Sequence, residues 1–222
     1  MDIDNMAEQH TRLISTQKQT LQRAKARQGQ RPRVRKSRQD AYAKFMLPLM
    51  LGTPKEDGQM IHSSFIPPAY HPCSTPVAQL QRIVIRELQL ETHHRGTYLL
   101  LRSITPPRRM TAIMALVEDE EGDAMMLQLY QLEDESTRKA ADMVSVGTIL
   151  LLKEPYYKVM ADGEYGLRVD HLSDVAYLDM DDTRIPEVWR PRMMGLQQTA
   201  ESLKIRGNLA MGEKRYWDAS TE

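Results

Sequence analysis

Hydrophobic positions gather in residues 79–178, where short apolar runs are separated by proline, glycine and charged residues. Ile83, Ile85, Leu88 and Leu90 alternate approximately with polar neighbours and predict a strand over 79–90. Residues 97–104, with Tyr98, Leu99, Leu100 and Leu101, are apolar on both faces, the mark of a central strand, and Pro106 and Pro107 end it. A hairpin follows: strands over 111–117 and 124–132 flank an acidic turn at 120–123, where Gly122 supplies the permissive dihedral. Alanine and charge over 134–144 predict a helix, Gly147 resets the chain, and 148–153 is a strand. A second hairpin spans 156–169, turning at Asp162 and Gly163. Val175 and Tyr177 close the sheet or lead out of it.

A run of strands, one helix and further strands follow the general order of an OB-like five-stranded β-barrel, in which three strands precede the helix and two follow it. The fold class is therefore mainly β with flanking helices, an α+β arrangement. Outside the barrel the pattern thins. Met6, Leu13 and Leu21 make one narrow stripe through a basic, helical or disordered arm. Ser37 and Asp40 form a weak capping box before Tyr42, Phe45, Met46 and Leu49, which predicts a short amphipathic helix limited by Pro48. Residues 50–76 are rich in proline and glycine and read as a linker that Phe65, Ile66 and Tyr70 pin down.

Lys plus Arg and Asp plus Glu are equal at 30 each, so only the distribution of charge is informative. Between Glu8 and Asp40 stand ten Lys or Arg and no acid, whereas residues 79–178 hold 11 Lys or Arg against 16 Asp or Glu. Arg31, Arg33, Arg35, Lys36 and Arg38 form a candidate import signal or nucleic-acid patch. The acidic barrel opposes phosphate binding, although Tyr98, Tyr130, Tyr156 and Tyr165 are of the type that stacks bases. The lone Cys73 excludes an internal disulfide and fits a reducing compartment. Neither a secretory leader nor a run of about 18 apolar residues is present, so the expected location is intracellular, cytoplasmic and/or nuclear.

Catalytic constellations are not apparent. His93 and His94 are adjacent and point to opposite faces of a strand, which suits surface roles better than one metal. Asp170, His171 and Ser173 have the residue types of a hydrolase triad but lie almost contiguous. Gly163 and Gly166 lack the strand, loop and helix of a phosphate cradle. The acids 118–123 read as a solvated turn, and Met110, Met114, Met125 and Met126 as core filling. No catalytic, cofactor-binding or metal residue is expected.

Residues 200–219 resemble the opening of a tetratricopeptide repeat: Leu203, Gly207, Met211, Tyr216 and Ala219 take its large, small, large, aromatic and small positions. Lys204 and Asn208 match positions that contact a partner's C-terminal carboxylate in some such repeats, and make candidate contacts of that kind. The match stops at Glu222, so the chain reads as truncated within its first repeat. More widely, FIPPAY at 65–70, LETHHRGTY at 90–98 and GEYGLRVDHLSD at 163–174 resemble the N-terminal region of fungal proteins that continue into tetratricopeptide repeats and a SET domain. That resemblance implies a lysine methyltransferase-like context, with S-adenosylmethionine expected only if a SET domain follows.

The expected organisation is a basic arm and short helix over 1–52, a proline-rich linker over 53–78, the barrel over 79–178, a linker over 179–199 and a partial repeat over 200–222. The expected function is a non-catalytic protein-interaction or scaffold region, with a protein partner, no membrane and no metal. The alternative is a single-stranded nucleic-acid-binding OB protein that uses the basic arm.

Overall fold

The computed structural model describes residues 3–51, 68–130, 137–160 and 162–190. Residues up to Ile185 form one compact unit, and those from Pro186 belong to a second. Of the second, the described part is a single 3₁₀ turn, Glu187–Trp189.

Helices α1 (Ile3–Lys25) and α2 (Arg38–Leu51) precede ten strands. These are β1 (Gln81–Ile83), β2 (Thr92–His93), β3 (Thr97–Ser103), β4 (Arg108–Arg109), β5 (Ile113–Glu118) and β6 (Ala124–Leu129). The one-turn helix α3 (Ala140–Met143) follows, then β7 (Ile149–Lys153), β8 (Tyr156–Val159), β9 (Tyr165–Val169) and β10 (Val175–Tyr177). All ten belong to one sheet in the order β10-β7-β3-β5-β6-β9-β8-β2, with β1 joined to β3 and β4 to β5. The mainly β class is thus observed. The pairing is a ten-stranded sheet rather than five strands, since short edge strands add to both ends of the path.

Two pairs, β1 with β3 and β6 with β9, run parallel; the rest are antiparallel. Strand alternation sends Leu99, Leu101, Ile113, Ala115, Val117, Leu127, Leu129, Leu150, Leu152, Leu167 and Val169 into one core. Leu100 and Leu151, in register on the other face, are buried as well, so β3 and β7 are covered on both sides as the apolar run at 98–101 predicts. Only Glu154 and Pro155 separate β7, which pairs with β3, from β8, which pairs with β9. Glu154 makes that corner with φ 45°, an unusual angle for a residue bearing a side chain. Its buried carboxylate accepts the Gly96 amide at 3.0 Å and the Arg95 guanidinium at 2.5 Å, which holds the bend.

Several boundaries differ from the sequence pattern. The strand expected over 79–90 lasts three residues, after which Ile85–Glu87 turns as a 3₁₀ helix. The three-residue spacing of Ile85 and Leu88 places both on one side of that turn, where both are almost wholly buried. Pro48 does not stop α2, because it sits within the last turn and removes one backbone hydrogen bond there. The N-cap half of the capping box is present: the Asp40 amide donates to Ser37 Oγ at 3.1 Å, and the Ser37 hydroxyl donates to Asp40 Oδ2 at 2.7 Å. In the 134–144 stretch the described helix is α3 alone. The hairpin turn at Asp162 and Gly163 is as expected, with Gly163 at φ 82° and Asp162 Oδ1 accepting the Glu164 amide.

Candidate interaction surface

The basic segment between α1 and α2 lies against the sheet. Gly29 donates its amide to the Leu90 carbonyl and Leu90 returns the bond to Gln30, each at 2.9 Å, so the chain is tied down by backbone before the cationic cluster begins. Arg35 then donates to the carbonyls of Arg86 and Leu88 and lies over the Tyr157 ring, 5.6 Å from its centroid. Lys36 pairs with Glu164 at 2.7 Å, and Lys44 on α2 reaches Asp162 and Glu164. Lys36 and Lys44 together hold the Glu164 carboxyl below its ordinary range against the opposing effect of burial. Arg38 Nε meets Glu118 Oε2 at 2.5 Å, and the other oxygen of Glu118 takes Arg102. Phe45 is buried where α2 packs on β5 and β6, beneath the Arg108 guanidinium at 4.9 Å.

Of the five cations in the candidate patch, Arg35, Lys36 and Arg38 are engaged with the acidic unit, and Arg31 and Arg33 stand exposed. The spacing of charge in the sequence showed an acidic barrel and a basic arm, but not that one would neutralise the other. The acids at 118–123 are similarly committed. Glu120 pairs with Arg82, Glu121 with Arg86, and the buried Asp119 accepts the amides of Ile85, Glu121 and Asp123. Burial raises the Asp119 pKa while those three amides oppose the rise. Among the described residues no His, Cys, Asp and Glu group has the arrangement to hold a metal ion.

A second cluster fastens residues 68–76. Tyr70 donates its amide to Asp170 Oδ2 at 3.2 Å and its hydroxyl accepts the Asp170 amide, while His171 Nε2 lies 2.5 Å from the Tyr70 carbonyl. The Cys73 amide donates to the buried Asp174 at 2.8 Å. Tyr70 pins this segment as expected; Phe65 and Ile66 lie outside the described residues. Desolvation drives the Tyr70 pKa up. Asp170 is taken by Arg168 and Tyr70 and His171 by the Tyr70 carbonyl, so the Asp, His and Ser residue types at 170–173 do not meet as a triad.

The adjacent histidines also part. His94 Nε2 accepts the Gln89 amide at 2.9 Å, which leaves Nδ1 to donate to the Pro155 carbonyl at 3.1 Å. His93 stacks on Tyr156 and stands edge-on to Tyr70, and its burial pulls the pKa down to about 4. Sequence reasoning missed the buried pair Glu91 and Lys158, because the two are 67 positions apart and neither pattern nor motif links them. Residues Leu203, Gly207, Met211, Tyr216 and Ala219, with Lys204 and Asn208, lie outside the described residues.

No family model matches the chain. A protein of Gibberella zeae described as a methyltransferase is 42% identical over 165 residues, 74% of this chain and 23% of that protein. The chain thus spans less than a quarter of the length of that relative and is similar to part of a fungal methyltransferase. Among solved structures, the OB domain of MM0293 from Methanosarcina mazei overlaps 44% of this chain and 84% of its own, at 14% identity and a TM-score of 0.31. No helix among the described residues is long and apolar enough to cross a membrane.

Proposed function

We propose that the chain is a non-catalytic protein-interaction region of a methyltransferase-like protein, built on an OB-type barrel and leading into a tetratricopeptide repeat and, further on, a SET domain. The barrel reading counts β7 and β8 as one strand bent at Glu154 and Pro155. A single bent strand of that kind lies beside β3 at one end and β9 at the other, so β3, β5, β6 and β9 complete five. The similarity to part of a Gibberella zeae methyltransferase supports the larger context.

The observation that carries the interaction reading is the docking of Lys36, Arg38 and Lys44 on Glu118, Asp162 and Glu164. It commits cations that a phosphate-binding arm would need free. On this reading the cofactor belongs to a SET domain. Incubating the purified chain with tritiated S-adenosylmethionine and a mixture of lysine-rich proteins is expected to label nothing, and transfer above a boiled control would refute the proposal.

A further inference from the structure

The basic segment and the sheet enclose a cavity of about 830 Å³, with residues 32–36 and α2 on one side and β5, β6, β8 and β9 on the other. Cavities of roughly 300 to 1,000 Å³ are of the size that takes a ligand or a cluster of inserted side chains. This one has two kinds of wall. Met114, Met126 and Met160 line its apolar part, and their unbranched side chains adapt to apolar groups of varied shape. Around them stand six Lys or Arg against three carboxylates.

Two of those carboxylates, Asp162 and Glu164, are already matched by Lys36 and Lys44. Arg27, Arg33 and Arg108 make no ion pair among the described residues, and the buried Nε of Arg108 has no hydrogen-bond acceptor. The cavity therefore carries a surplus of positive charge inside a unit whose barrel is acidic. A guanidinium in that position is an acceptor-seeking group, and clustered arginines recognise acidic motifs.

We propose that this cavity docks a segment of a partner protein in which carboxylates alternate with apolar side chains. The proposal rests on the protein-interaction reading above and names the partner's chemistry. A nucleic-acid strand fits less well, because bases bind on open aromatic faces. Here Arg35 covers Tyr157, Arg108 covers Phe45 and Arg168 covers Tyr130, each with the guanidinium carbon within 5.6 Å of the ring centroid. The apolar inserts would contact the methionines and the carboxylates would pair with Arg33 and Arg108.

A random peptide library displayed on phage and selected on the 222-residue protein tests this directly. Recovered sequences should share acids interspersed with Leu, Met or Phe. A fluorescein-labelled copy of the leading peptide should bind about ten-fold more weakly to Arg33→Glu and to Arg108→Gln, as expected when a charged contact is reversed or removed. Arg33 is exposed, so its substitution leaves folding intact even if Arg108→Gln does not fold. Peptides without acids, or acidic peptides indifferent to Arg33→Glu, overturn the cavity assignment and leave the interaction reading standing. Recovery of no peptide, together with oligothymidine binding that Arg33→Glu abolishes, overturns both.

Discussion

Arg38 and Glu118 lie 80 positions apart and meet at 2.5 Å, joining the first turn of α2 to the end of β5. The carboxylate is shared with Arg102, so Glu118 is the hub and Arg38 the strap. With Arg38 about half exposed at 47%, Arg38→Ala should cost only about 0.5–1 kcal/mol. Glu118→Gln should cost more, about 2 kcal/mol, because the carboxylate is 4% exposed and its charge serves both Arg38 and Arg102. Urea unfolding of the two variants checks the ranking; equal costs would contradict the assignment of Glu118 as the hub.

Glu91 and Lys158 form a secluded ion pair, with 3% and 8% of their side chains exposed. Glu91 also accepts the Val159 amide at 2.6 Å and holds φ 51° to do so. Removing one partner leaves the other charged in a site that cannot solvate it. Lys158→Met should therefore cost about 3–5 kcal/mol, and Glu91→Gln with Lys158→Met together should cost less than Lys158→Met alone. Thermal melts of the single and double variants give the comparison.

Gly166 faces Met126 across the parallel pair of β6 and β9. A methyl group there would meet backbone oxygen as well as the Met160 thioether, and the oxygen cannot move aside. Gly166→Ala should destabilise by about 1–3 kcal/mol, the usual cost of overpacking. Adding Met160→Ala should recover only part of the loss.

Burial sets the pH response of His93. Its folded pKa is about 4 against an ordinary value of 6.5, so the unfolded chain binds the proton more readily between those values. Stability from this group is complete above about pH 6.5 and falls as pH drops toward 4. Burial lowers His94 too, and its loss runs in the same direction. His93→Gln should flatten part of the decline in melting temperature over that window, and an unchanged profile would contradict the assignment.

Much of the sheet was legible because apolar runs report burial directly: the run at 98–101, apolar on both faces, marked a central strand, and Leu99, Leu100 and Leu101 are all buried. The region of Ile85 and Leu88 was misread since a spacing of three, in a short apolar run, satisfies a strand loosely and a 3₁₀ turn well. Pro48 was overvalued as a stop because its cost depends on where in the helix it falls. The candidate surface was half visible. Composition located Lys36 and Arg38, but their partners Glu164 and Glu118 are set by tertiary folding and leave no local trace.

The basic segment is held by the acidic sheet rather than free for phosphate. Fluorescence anisotropy of labelled single-stranded oligothymidine at low salt tests it, using the wild type and the variant carrying Glu118→Gln and Glu164→Gln, after circular dichroism has shown that the variant folds. Weak binding by the wild type that tightens in the variant is the predicted result, because Arg38 and Lys36 lose their carboxylates and Lys44 keeps only Asp162. Tight, steeply salt-dependent binding by the wild type that the two substitutions leave unchanged would contradict it.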